Sequence, residues 1–112
     1  MCDKRQLAEL AESLAAEAKK VLAEKFDAVI LYGSYARGDY DEGSDVDFLI
    51  RIRCDKNDLR SYRRLFTHFA GELSLKYAVT VSVQLADVES YEKYKEYFLY
   101  YKNIERDGIY VA

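Results

Sequence analysis

Apolar and polar positions along the 112 residues change period several times, and each change marks a new element. Over residues 3–25, Leu7, Leu10, Leu14, Ala18, Val21 and Leu22 recur at spacings of three and four, with lysines and glutamates on the other side. That spacing predicts an amphipathic helix, and Asp3 is placed to cap it. Residues 26–32, FDAVILY, carry a near-continuous apolar run, the pattern of a strand covered on both faces. Gly33 ends it, and the glycine- and aspartate-rich residues 36–44 read as loop. Residues 45–53 alternate: Val46, Phe48, Ile50 and Ile52 share one face, and Asp45, Asp47, Leu49, Arg51 and Arg53 share the other.

After a turn at 54–58, in which Asn57 or Asp58 is the expected cap, a second amphipathic helix spans 58–76. It carries Leu59, Tyr62, Phe66, Phe69 and Leu73 on its inner side. Residues 78–86 alternate again, with Val79, Val81, Val83 and Leu85 against Thr80, Ser82 and Gln84. Asp87 is placed to cap a helical stretch over 88–105, Asp107-Gly108 stops it, and Ile109-Tyr110-Val111 form a short terminal strand. The loop between the first two strands is too short for a helical crossover, so they should pair antiparallel. The expected fold is α+β: a small mixed, mostly antiparallel sheet with helices packed on one face and the other face partly open. Residues 1–112 are expected to make a single domain.

Composition narrows the function. Half of the residues are hydrophobic, enough for one core without covalent staples. No apolar run approaches the roughly 18–20 residues needed to cross a bilayer, and no secretory signal is visible. Cys2 and Cys54 lack metal or redox spacing and read as free thiols of a reducing cytosol, so a cytoplasmic location is expected. The net charge is −3, from 17 basic and 20 acidic residues, which argues against a dedicated nucleic-acid binder. A basic stretch of Arg60, Arg63 and Arg64, with Arg51 and Arg53 nearby in sequence, reads first as a solvated face and second as a contact for phosphates. His68, the only histidine, reads as structural or surface. Tyr91, Tyr94, Phe98 and Tyr101 recur at helical spacing and read as core packing. Tyr97 and Tyr100 widen the stripe enough to meet a partner chain.

The chemistry gathers in residues 32–50. Residues two apart on a strand point the same way, about 6.5–7 Å apart. The Asp45 and Asp47 carboxylates therefore converge, an arrangement unfavourable without a cation between them. Oxygen ligands suit a hard ion such as Mg²⁺, which keeps waters and binds substrate phosphate as well. An isolated D-x-D is most often a solvated strand end, and an isolated Gly-Ser is most often an ordinary turn. Gly33 permits close backbone approach to a ligand, Ser34 begins a turn with free N–H groups, and Arg37 has the planar fork that suits phosphate.

Taken together, GSYARG (33–38) and SDVD (44–47) resemble the minimal nucleotidyltransferase group of the DNA polymerase beta superfamily. The strand pattern and the ending YYKNIERDGIYV (100–111) are similar to small stand-alone members, so the resemblance covers most of the chain from about residue 26 onward. It implies transfer of a nucleoside monophosphate, AMP from ATP being the first candidate, to an acceptor hydroxyl with loss of pyrophosphate. It also implies that Gly33 and Ser34 contact the β- and γ-phosphates and that Asp45 and Asp47 ligate two Mg²⁺ ions with bound nucleotide. Arg37 matches a common family position. A small helical partner protein, as in toxin–antitoxin modules, belongs to the same resemblance.

One departure stands out. Active relatives usually add a third carboxylate from a neighbouring strand, and the polar face of 78–86 offers Ala78, Thr80, Ser82 and Gln84 instead. Spacing does not select among Asp41, Glu42 and Glu72 as substitutes. The alternative function is therefore a nucleotide-binding or interaction module that has lost turnover.

Overall fold

In the computed structural model, which describes residues 2–112, four strands form one sheet in the order β3-β2-β1-β4. Helix α1 spans Lys4–Leu22 and begins at a capping box. Gln6 N donates to the Asp3 carboxylate at 2.8 Å, and Asp3 N donates to the Gln6 side chain at 3.2 Å, so two otherwise unpaired backbone donors are satisfied. A 3₁₀ turn over Ala23–Lys25 leads into β1, Phe26–Tyr32. A single helical turn, α2, covers Ser34–Arg37, inside a stretch expected to be turn and loop. It is followed by β2, Val46–Ile52, and by a second 3₁₀ turn at Lys56–Asp58 capped by Asp55, which brings Asp58 to the N-cap position of the next helix, one of the two residues expected there, without a side-chain hydrogen bond. Helix α3 spans Leu59–Tyr77 and β3 spans Val81–Asp87.

The helix expected over 88–105 is two helices, α4 at Val88–Tyr94 and α5 at Leu99–Asp107. Phe98, extended at φ −90° and ψ 126°, separates them. No proline or glycine announces this break. Its physical effect is to let Tyr91 of α4 and Ile104 of α5 reach the same apolar patch of the sheet, which a straight helix of that length would not allow. Asp87 caps α4 as expected, accepting from Ser90 N at 2.9 Å.

β1 and β2 pair antiparallel, and β2 and β3 pair parallel across the α3 connection. Strand β4, Ile109–Tyr110, closes the far edge antiparallel to β1. Val111 N and Val29 N continue that edge, donating to Val29 O and Ala112 O. The α+β class and the mixed, mostly antiparallel sheet agree with the sequence reading. The two long helices share one face of the sheet. The second face, expected to lie partly open, is covered along much of its length by α4 and α5.

Alternation sorts the core. Val29, Leu31, Val46, Phe48, Ile50 and Ile52 meet Leu10, Leu14 and Phe66 beneath α1 and α3. Ala28, Ile30, Leu49 and Ala86 meet Tyr91 and Ile104 on the other side. On that second face Arg51 is nearly buried and fully engaged. It donates to Asp27 at 2.7 Å and to the Tyr110 hydroxyl at 2.8 Å, and its guanidinium lies 4.8 Å from the Tyr91 ring centroid. Arg53 shares Asp27 at 2.8 Å. Arg51 is therefore not free for a phosphate, whereas the Arg53 guanidinium stays more than half exposed beside Asp27.

Burial separates two kinds of large apolar residue. Phe48 is fully buried between α1, α3 and the sheet, whereas Leu75 on α3 is 87% exposed. Phe48→Ala is expected to destabilise the fold by about 3–5 kcal/mol, and Leu75→Ala by no more than about 0.5 kcal/mol. Chemical denaturation of both variants checks this, and similar losses would contradict the described core.

Candidate functional site

The site is built where β1 ends and β2 begins. The antiparallel register pairs Tyr32 with Asp47. Directly beyond Tyr32 the chain must turn, and Gly33 does so at φ 76° and ψ −158°, a region essentially reserved for glycine. A Cβ added at Gly33 would stand 2.5 Å from Asp47 Oδ2, so the missing side chain is what lets this carboxylate lie against the backbone. Gly38, at φ 86°, ends the one-turn helix.

Tyr35 holds the turn from below. Its ring is buried and stacks on Tyr40 at 4.2 Å, and its hydroxyl accepts from Cys2 N at 3.1 Å. The rest of the loop is self-supporting. Asp41 accepts from Gly43 N and Ser44 Oγ, and Asp41 N donates to Ser44 Oγ at 3.0 Å. Asp45, expected to open the strand, lies exposed one residue before β2, and Asp47 follows half-buried within it.

The electrostatics follow from this packing. Burial pushes the Asp47 carboxyl above its ordinary range, the nearby Asp45 charge pushes it further, and Arg37 pulls it back. Arg37 itself is exposed and bonds Asp39 at 3.2 Å. The five residues singled out from the sequence, Gly33, Ser34, Arg37, Asp45 and Asp47, thus lie around one end of the sheet. Two carboxylates that repel each other at the exposed start of β2 are a donor set that fits a hard divalent cation.

Sequence reasoning missed a second group. The Tyr32 and Tyr100 hydroxyls are 2.7 Å apart and their rings meet edge to face at 5.6 Å, walling the cleft on the α5 side. Burial raises both phenols, and the Asp47 charge adds to the rise in each. Tyr100 lay in the aromatic stripe, but nothing in the stripe ties it to Tyr32. That contact depends on the break between α4 and α5. The stripe itself divides: Tyr91 is core, whereas Tyr97 and Phe98 are 77% and 51% exposed.

The remaining candidates lie elsewhere. Arg60, Arg63 and Arg64 are exposed near the start of α3, which follows the far end of β2. The length of a seven-residue strand, about 20 Å, separates that end from the acid pair. His68 pairs with Glu72 at 2.9 Å on the surface of α3. Cys2 and Cys54 are free thiols. No helix among the described residues is long and apolar enough to cross a membrane.

A family model for the nucleotidyltransferase domain matches residues 15–111. Three proteins of Methanocaldococcus jannaschii, each named as a candidate protein adenylyltransferase, are similar to the chain. One is 39% identical over 77 residues, covering 69% of this chain and 76% of the relative. The second is 34% identical over 80 residues, covering 71% and 72%. The third is 33% identical over 112 residues, covering 96% and 99%. Among solved structures, a toxin–antitoxin crystal structure with AMP-PNP aligns at TM-score 0.56 and 16% identity, covering 90% of this chain and 72% of that one. A mutant toxin–antitoxin pair aligns at TM-score 0.52 and 14% identity with the same coverage. Those two likenesses concern the fold.

Two outcomes test the geometry. A carboxyl raised on folding is costlier to ionise in the folded than in the unfolded chain, so its effect on stability runs against pH. The contribution is most favourable below the unfolded value near 3.8 and is lost as pH rises through the folded pKa. Without metal, Asp47→Asn is therefore expected to melt a few degrees above the parent at neutral pH, with the gap closing toward pH 4. A lower melting point at pH 7 would show that Asp47 is held by favourable partners. Gly33→Ala is expected to destabilise by roughly 1–3 kcal/mol through backbone strain alone, and unchanged stability would contradict the turn described.

Proposed function

The chain belongs to the nucleotidyltransferase domain family, and on that premise we propose that it transfers a nucleoside monophosphate, AMP from ATP first, to an acceptor hydroxyl. The observation that carries the proposal is the convergence at one end of the sheet: the Asp47 carboxylate lies against Gly33, and the charges of Asp45 and Arg37 both act on it. In the reaction the acceptor hydroxyl gives its proton to water as its oxygen bonds to the α-phosphorus. The bond from that phosphorus to its bridging oxygen breaks, and pyrophosphate leaves. Such chemistry asks mainly for positioning and charge neutralisation.

Each residue has a role in this reading. Gly33 lets the triphosphate approach the backbone, Ser34 offers a hydroxyl and N–H, and Arg37 offers a charged fork. Asp45 and Asp47 hold a divalent cation, Mg²⁺ being the first candidate, which when bound neutralises charge on the phosphates. The Tyr32–Tyr100 pair limits solvent on one side of the cleft. The acceptor is proposed to sit on a partner protein. Two observations support that: the relatives are named for protein adenylylation, and the fold neighbours come from toxin–antitoxin complexes. The exposed ridge of Tyr97, Phe98 and Leu99 beside the cleft is the surface proposed to meet that partner.

A second reading is favoured by a specific observation. Among the described residues no three His, Cys, Asp or Glu side chains gather where a metal ion would be held. On that reading the chain binds the nucleotide and has lost turnover. Incubation with Mg²⁺, ATP labelled on the α-phosphate and candidate protein acceptors separates the two. The transferase reading expects label on an acceptor, pyrophosphate release, and loss of both in Asp47→Asn. Calorimetric binding of Mg-nucleotide without product from any acceptor favours the second. The absence of nucleotide binding would overturn both.

A further inference from the structure

The proposed site raises the question of how many ions it holds, and the inference below rests on that reading of the site. Strand β3 runs parallel to β2, with Ser82 the Cα partner of Asp47 and Gln84 the partner of Leu49. Paired positions in a ladder project to the same face. Ser82 therefore stands beside Asp47 on the face of the acid pair, and Tyr32 stands on its other side across β1. Asp47 is flanked within the sheet by two hydroxyl residues and by no second acid. The next β3 residue on that face, Gln84, is an amide.

The three acids left open by the sequence do not fill the gap. Asp41 is engaged by Gly43 N and Ser44 Oγ inside its own turn. Glu72 pairs with His68 on α3. Glu42 is exposed in the loop, and no three-residue donor cluster forms among the described residues.

The supply of protein ligands then sets the capacity. Mg²⁺ beside a nucleotide is ordinarily held by one or two carboxylates, phosphate oxygens and water. A second dication would share those two carboxylates and find only a serine hydroxyl and an amide from β3, where a further carboxylate would be needed to hold it away from the phosphates. We propose that Asp45 and Asp47, with bound nucleotide, hold a single divalent ion, and that Ser82 is the position whose lack of a carboxylate sets that number. The resemblance drawn from the sequence implies two ions. The neighbours of Asp47 on both strands argue for one.

The test counts ions and does not require turnover. Mn²⁺ is titrated into the whole protein with a non-hydrolysable ATP analogue, and free Mn²⁺ is followed by electron paramagnetic resonance. The expected result is one Mn²⁺ per protein–nucleotide complex for the parent and two for Ser82→Asp. Gln84→Glu, one repeat further along the same face, serves as the second variant if Ser82→Asp does not fold by circular dichroism. Two ions in the parent would overturn the inference, as would one ion in a folded Ser82→Asp. A folded parent that retains no Mn²⁺ with nucleotide would overturn the nucleotidyltransferase reading itself, an outcome distinct from a count of two.

Discussion

The antiparallel pairing of β1 with β2 is the constraint on which the site depends. Its register sets Tyr32 opposite Asp47, and everything at the cleft follows from that one pairing. The residue after Tyr32 must leave the sheet close to the Asp47 carboxylate, which only a glycine in that conformation accommodates. A slip of one residue would send both aspartates to the helix-covered face. The apolar residues of β2 prevent the slip, because Val46, Phe48, Ile50 and Ile52 are all fully buried under α1 and α3. Hydrophobic burial on one face thus positions repelling charges on the other.

The second face is divided along its length. At the end away from the site, Arg51 joins Asp27, Tyr91 and Tyr110 in one polar and aromatic cluster, which binds β1, β2, α4 and the terminal strand together. At the other end the sheet is open except for the Tyr32–Tyr100 wall. This division explains why one strand, β2, carries two buried-face roles for its outward residues. Arg51 is compensated within the chain, whereas Asp45 and Asp47 repel each other and are offset only by Arg37 nearby.

Much of this was legible from local pattern. The capping of α1 by Asp3 and of α4 by Asp87, the alternation in β2 and β3, and the Gly33 turn each depend on residues close in sequence. The break between α4 and α5 was not legible, because continuous tyrosine spacing through residues 91–101 satisfies a helix locally. Only the demand that Tyr91 and Ile104 share one apolar patch on the sheet overrides it. The same holds for Arg51 and Arg53. In sequence they join the arginines of α3 as a basic stretch, and in space Asp27, more than twenty residues earlier, takes them.

The sequence by itself determined the α+β class, most of the elements and the stretch that brings Gly33, Ser34, Arg37, Asp45 and Asp47 to one end of the sheet, because strand alternation and turn chemistry act over a few residues. Only the tertiary structure decided what surrounds Asp47: Gly33 in contact, Tyr32 and Ser82 on the flanking strands, and Tyr100 reaching in from α5. Those neighbours come from separate elements. Their convergence is set by sheet order and register, which no short-range pattern encodes.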